Sequence, residues 1–541
     1  DKYNYDASGV YQGYTLRRVG KEQDPTLKTE NTSSGDRRIY LQAMVNYNRT
    51  FGEKHNISGM LLYNQDQYDT NNPSDLIASL PQRKQGFAGR LTYDYDYRYL
   101  AEFNFGYNGS ENFADGHRFG FFPSVALGYT ISREDYFEKL NNVITNLKIR
   151  GSWGLVGNDQ IGAERYIYMS NIELQNGDLG FTTGKDQNTT YNGPKYLRYA
   201  NPDITWEVGS KWNLGLALGL FNDFNMSVDL FKETRSDIFM ERQSIPQFIG
   251  TSPSDRYMDL KTKLYGNLGK VENKGMDLSV DYVHSFNKDF SMSFKGTFTY
   301  ATNKVLEYDE PDYLAYPNLS RVGHSINQPL LYIADRLFID DEEVANSPAQ
   351  KLGGFVQAGD IKYKDIPNAD GVCDGVINAN DRVYTGHPTV PEIVYGFGPS
   401  FQYKKWDFSF FFQGVARTSI VVGDIHPFGT DGLRNVQKFI ANDYWSESNQ
   451  NIYAAYPRLS KQYNQNNTVA STYWLRNGAF LKLKDVEVGF SHKLFRVYLR
   501  GSNLLTFSPF DLWDPEQGNG NGMFYPTQKS FNVGIQFSFN K

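Results

Sequence analysis

The last stretch of the chain, residues 531–539, constrains the fold more than any other. Phe531, Val533, Ile535, Phe537 and Phe539 alternate without a break against Asn532, Gly534, Gln536 and Ser538. Successive side chains of a strand point to opposite faces, so one face here is wholly apolar and the other small or polar. In a water-soluble sandwich the apolar face looks into a core. In a barrel that crosses a bilayer it looks out at lipid, and the polar face lines the lumen. The remainder of the chain decides between these readings.

The same alternation recurs along the chain. Residues 1–36 are polar and read as a loop segment with one strand near 11–16; from 37 to 541 the period-two pattern persists. Phe87, Gly89, Leu91, Tyr93 and Tyr95 alternate with Ala88, Arg90, Thr92 and Asp94. Tyr99, Ala101, Phe103, Phe105 and Tyr107 follow, and the pattern returns at Leu214–Leu220, Met226–Leu230, Met276–Tyr282, Met292–Tyr300 and Trp406–Phe412. Within 481–490 the phase slips between Leu483 and Val486, which either a bulge or a different strand register accounts for. The pattern predicts about fifteen strands, most of them longer than the roughly five to six residues usual in globular sheets.

The connections discriminate further. Short ones (52–55, 221–223, 287–289, 404–405, 492–494) alternate with long ones (69–83, 110–119, 158–203, 238–266, 304–391, 419–477, 508–527). Segment 133–143 is the one longer member of the short set, and 134–140 reads as a helical turn or two. Tight turns on one rim and large loops on the other is the layout of membrane barrels. Tyr95, Tyr97, Tyr99, Phe221, Phe224, Phe290, Trp406 and Phe495 gather beside the short turns, where an interfacial aromatic girdle sits.

Composition removes other classes. No run of roughly 18 apolar residues exists in the 541-residue chain, so it is not a helical membrane protein. Its net charge of -6 with no basic stripe argues against nucleic acid as a partner. Cys373 stands alone, which excludes an intramolecular disulfide and a cysteine zinc site. The chain opens at Asp1 with neither Met nor signal peptide, so the expectation is a piece of a longer precursor.

Several segments resemble one family, the SusC-type (SusC/RagA-like) TonB-dependent outer-membrane transporters. Gly89-Arg90-Leu91 through Tyr97-Arg98-Tyr99-Leu100, followed by Phe105-Gly106-Tyr107-Asn108-Gly109-Ser110-Glu111-Asn112-Phe113, is similar to a hallmark of that family. Leu147-Lys148-Ile149-Arg150-Gly151-Ser152-Trp153-Gly154, Val271-Glu272-Asn273-Lys274-Gly275-Met276 and Gly359-Asp360-Ile361-Lys362-Tyr363 fit as well. The most specific segment is Tyr473-Trp474-Leu475-Arg476-Asn477-Gly478-Ala479-Phe480-Leu481-Lys482-Leu483-Lys484, leading to Asp514-Pro515-Glu516 and Tyr525-Pro526. The resemblance implies an all-β, multi-pass antiparallel barrel of 22 strands in the outer membrane of a Gram-negative bacterium, closed by an N-terminal plug. This chain would be its C-terminal part, beginning in an extracellular loop, with the plug and first strands absent. Expected partners are that N-terminal part, TonB acting through it, a SusD-like surface lipoprotein, lipid and lipopolysaccharide, and an oligosaccharide or peptide substrate.

Two sets of residues are candidates for binding. Asp370, Asp374, Gly375, Asn378 and Asp381 lie at spacings similar to those of a twelve-position calcium loop, although Val372 offers no oxygen at the third position and Asp replaces the closing Glu. A calcium ion there is the one cofactor the sequence raises; an Asp/Gly/Asn-rich turn before a strand is the plain alternative. The loop aromatics Tyr444, Trp445, Tyr473, Trp474, Trp513, Phe524 and Tyr525 are suited to stack on sugars or on a protein partner, or else to pack the loops against one another. Arg90, Asp94, Glu102, Asn104, Arg150 and Asp229 are expected to face the lumen. The seven His are scattered and no nucleophile elbow, phosphate loop or dinucleotide fingerprint appears, so no enzyme is expected. Two function classes remain: a nutrient transporter, or a secreted β-rich carbohydrate-binding protein or glycosidase. Lipid-facing alternation on every strand favours the first.

Overall fold

A computed structural model of the chain describes residues 2–15, 33–73, 76–162, 165–245, 264–427 and 435–539. Residues 16–32 of the expected leading loop, and parts of the loops at 238–266 and 419–477, lie outside the described residues. By internal contacts the chain forms two compact units, 1–39 with 67–82, and 40–66 with 83–541. In the first, Lys2–Tyr5 pairs with Tyr11–Thr15 as a hairpin, and Arg37 meets Asp69 at 3.1 Å.

Fifteen strands make one sheet in which each pairs with its neighbours in chain order. They are β1 (Asp36–Phe51), β2 (His55–Thr70), β3 (Gln82–Tyr95), β4 (Tyr99–Ser110) and β5 (Phe119–Thr130). Next come β6 (Ile144–Asn158), β7 (Glu207–Leu220), β8 (Phe224–Glu241), β9 (Tyr265–Ser285) and β10 (Phe290–Glu307). Last are β11 (Ile393–Tyr403), β12 (Trp406–Ala416), β13 (Phe480–His492), β14 (Phe495–Phe507) and β15 (Ser530–Phe537). From β3 to β15 every pairing is antiparallel. The connection at 131–143 holds two short 3-10 turns, Ile131–Arg133 and Asp135–Leu140, of which the second lies in the stretch 134–140 expected to turn helically.

Register turns the alternation into continuous rows. Leu214, Leu230, Met276, Tyr300 and Ile393 stand side by side across β7 to β11. One residue along, Gly215, Asp229, Asp277 and Thr299 form the opposite face. The apolar face is uncovered: Leu127 is 62% exposed and Val533 75%. Rows of exposed large apolar side chains along most of the strands would be an aggregation hazard in water and are the ordinary state of a wall in lipid. The polar row therefore lines the lumen.

The phase slip in β13 is a bulge. Phe411 pairs with Asp485 and Phe412 with Leu483, so Lys484 has no cross-strand partner. On the other side Leu483 pairs with Leu505 and Asp485 with Ser502, with Asn503 in the left-handed region at φ 55. The extra residue re-aims the strand. Leu481 and Leu483 before it, and Val486 and Val488 after it, all face lipid. Lys482, Asp485 and Glu487 share the lumen side.

The packed cores lie in the loops rather than beneath the sheet. The larger takes Tyr332, Leu337, Ile361, Tyr363 and Ile377 from segment 308–392, Ile420, Ile440, Trp445, Tyr456 and Trp474 from 417–479, and Phe510 from 508–529. The smaller gathers Phe113, Ile161, Ile167, Ile204, Trp206 and Tyr265.

Candidate functional site

Three long loops that cannot each bury a core alone share one, and buried polar groups set how they fit together. Asp360 is fully buried and holds segments 308–392 and 417–479 to each other. Its carboxylate accepts from Arg458 at 2.8 Å and from the Asn467 amide at 2.7 Å. Burial pushes this carboxyl above its usual range, with the Arg458 guanidinium opposing. Asn466, also fully buried, donates to Ile361 O and accepts from Gln350, while the Tyr363 hydroxyl donates to Asn466 O. Glu343 accepts from Arg336 at 2.5 Å and Lys362 at 2.7 Å, and its pKa falls to about 2, chiefly through the Arg336 hydrogen bonds.

The last loop is tied down by one lysine. Lys482 is 1% exposed and donates to Asp514 at 2.5 and 2.7 Å and to Glu516 at 2.6 Å. Lys484, delivered by the bulge, reaches Glu516 at 2.5 Å. Burial raises both carboxyls, but the lysine hydrogen bonds prevail and hold Asp514 and Glu516 below their usual ranges. Asp514 also caps the 3-10 turn Pro515–Gln517 by accepting from Glu516 N.

The seven aromatics divide into two groups. Trp474 is 3% exposed and donates its Nε1 hydrogen to Asn467 O; Trp445 is buried with its ring where a Cβ of Gly359 would sit, and Gly359 itself is left-handed at φ +79. Tyr444, Tyr473 and Trp513 pack against the same core, and the Tyr473 hydroxyl donates to Ala454 O. These five build the cap. Phe524 and Tyr525 are 62% and 79% exposed and stand on the last loop beside Met523. They are the members of the set that present rings to solvent.

The lumen residues form cross-strand ladders. Arg90 meets Glu102 at 2.8 Å, Asn104 donates to Glu102 at 2.8 Å, and Asp94 accepts from Asn56 at 2.9 Å. Arg150 pairs with Asp229 across Gly215, where a Cβ would collide with both. Reasoning from the sequence missed the pairs of Arg496 with Asp407 and Glu487 and of Arg500 with Asp485. Their signal was the bulge, which sets these groups on one face. Such a wall is wetted and polar, with its charges largely neutralised in pairs.

In the proposed calcium loop, Asp381 accepts from Ile366 N and Asn378 N, and Asn378 accepts from Asn380 N, a capping box on the turn Ala379–Asp381. Asp374 accepts from Val376 N, and Asp370 is exposed. Among the described residues no three His, Cys, Asp or Glu side chains converge to hold a metal.

An antiparallel sheet with an apolar outer face, a polar inner face and its long loops on one rim defines a transmembrane β-barrel protein. The TonB dependent receptor-like β-barrel family model matches residues 1–504, and the chain belongs to that family of outer-membrane proteins. It is 25% identical over 487 residues to TonB-dependent receptor P3 of Formosa agariphila, covering 83% of this chain and 45% of that protein. Its identity to TonB-dependent receptor SusC of Bacteroides thetaiotaomicron is 25% over 503 residues, covering 88% of this chain and 46% of the relative. The chain thus spans about half the length of the curated relatives it matches. Its fold superposes on a chain of the RagAB peptide transporter with a TM-score of 0.70 at 22% identity, covering 94% of this chain and 56% of that one.

Proposed function

We propose that the protein takes part in TonB-dependent import of an oligomeric nutrient, a glycan or a peptide, across the outer membrane. The observation that carries this reading is a cap of three long loops packed around one core, on a strand wall whose inner face is polar and charge-paired. Such a wall admits a hydrated oligomer without offering a fixed charge that would trap it. TonB would act through a plug domain in the longer protein, and a SusD-like lipoprotein would dock on the loops, with Phe524 and Tyr525 as contact rings. The full-length protein, purified from the outer membrane, tests this. Co-purification of a surface lipoprotein and bound oligomer is expected, along with a shift on gels between boiled and unboiled samples. Solubility without detergent refutes the membrane reading, and recovery with neither lipoprotein nor ligand refutes the import reading.

A further inference from the structure

The lipid-facing surface of β8 to β12 changes character at a definite height. On β10 the outward run Met292, Phe294, Gly296, Phe298, Tyr300 covers about 30 Å of strand at ~3.3 Å per residue. Tilted by ~40°, that crosses roughly 22 Å of bilayer, close to the ~25 Å apolar band of such barrels. One step nearer the long-loop rim, the row Leu230, Met276, Tyr300 gives way to Lys232, Lys274, Thr302, and the next row carries Thr234, Glu272, Lys304. These rows therefore sit at the headgroups of the outer leaflet.

Four cations gather there around two carboxylates. Lys232 meets Glu272 at 2.8 Å, and Lys274 lies 4.0 Å from the same carboxylate. Arg417 pairs with Glu392 at 2.6 Å and stands over the Tyr300 ring at 5.9 Å. Lys304 has no carboxylate within ion-pair distance among the described residues. A cavity of about 340 Å³ opens between these groups, lined by Lys274, Lys304 and Arg417 together with the carboxylates Glu272 and Glu392 that they partly neutralise, and by His387. Immediately beside Lys232 lies a second hollow of about 550 Å³, apolar and facing lipid, walled by Leu127, Trp153, Trp212, Leu214 and Leu230 over Gly151. Gly151 makes the hollow: a Cβ there would meet only Asn213 O, at 3.9 Å.

We propose that these two features form one site for a phosphate-bearing lipid of the outer leaflet. Its phosphate sits among Lys232, Lys274, Lys304 and Arg417, and an acyl chain lies in the groove over Gly151. The surplus of cations calls for an anion, and lysines act on phosphate as mobile point charges. An apolar groove continuous with them, at bilayer depth, calls for a chain attached to that anion. Trp153 and Trp212, with ring centroids 6.1 Å apart, mark the level at which headgroup and chain meet.

The test uses the full-length protein in phosphatidylcholine nanodiscs doped with dansyl-labelled lipid A or its dephosphorylated form, read by energy transfer from tryptophan. The wild type is expected to prefer the phosphorylated lipid by at least about tenfold. The combined Lys232→Gln, Lys274→Gln, Lys304→Gln variant loses that preference. Lys304→Gln alone, which breaks no ion pair and guards against misfolding, loses part of it. Gly151→Leu, which fills the groove, weakens transfer to both lipids. Equal transfer for the two lipids in the wild type, or an undiminished preference in both lysine variants, overturns the proposal. Displacement by about 10 mM inorganic phosphate with an unaffected Gly151→Leu variant overturns the lipid assignment in favour of a free-anion site.

Discussion

Lys482→Met isolates the joint that holds the last loop. The substitution keeps an unbranched side chain one atom shorter and removes one charge that is 1% exposed, leaving Asp514 and Glu516 at 20% and 26% side-chain exposure without their main partner. Removing one member of a buried ion pair costs about 3–5 kcal/mol, because the stranded charge is the expensive part. Glu516 keeps Lys484 at 2.5 Å and both acids have some access to water, which places this case at the lower end, ~3 kcal/mol. That corresponds to an opening equilibrium of segment 508–529 raised by roughly two orders of magnitude. Hydrogen exchange of the folded protein in detergent, followed by mass on peptides from 508–529, reads it directly, with β6 as an internal reference. Lys482→Met combined with Asp514→Asn is expected to recover much of the protection, since Glu516 keeps its pair with Lys484 and no charge is then stranded. Protection of 508–529 within about fivefold of wild type in Lys482→Met would refute the reasoning, because the lysine would then hold nothing.

Three further outcomes are expected. Glu343, with a folded pKa of about 2 against an ordinary value near 4.5, contributes stability that is fully present above the ordinary range and lost as pH falls toward 2. Proteolysis of 334–363 should therefore quicken between pH 5 and pH 2.5, by an effect on the order of 2–3 kcal/mol, and Glu343→Gln should flatten that dependence. Trp474→Ala should loosen the loop cap by about 3–5 kcal/mol, whereas Tyr525→Ser should alter stability by under about 0.5 kcal/mol and instead weaken capture of lipoprotein or substrate in a pull-down. For the turn at 370–381, whose Asp374 and Asp381 already accept backbone N–H groups, cleavage rates with calcium and with chelator should be equal; slowing by calcium would show that Asp370 and Asp374 turn inward to a cation.

The period-two pattern, the rim asymmetry of the connections and the phase slip after Leu483 were all legible along the chain. Each is a local property: which face a strand residue takes depends on parity, and lipid rewards apolar parity on every strand alike. The family was legible too, because its motifs are contiguous.

Which groups meet across loops was not. Asp360 and Arg458 are 98 residues apart, and Lys482 and Asp514 32 apart, so no spacing rule connects them. Nor could composition separate Trp445 and Trp474, which build the cap, from Phe524 and Tyr525, which stand outside it. Aromatic rings serve a core and a binding surface equally well, and only the fold of three loops around one shared core decides. The sequence by itself determined the strand wall and its two faces, since these follow from alternation and a uniform solvent. The tertiary structure alone decided how the cap is held, which rings are free, and that lysines from β8, β9 and β10 gather beside an apolar groove. Those arrangements depend on register between strands and on loop closure, which bring together residues that the chain keeps far apart.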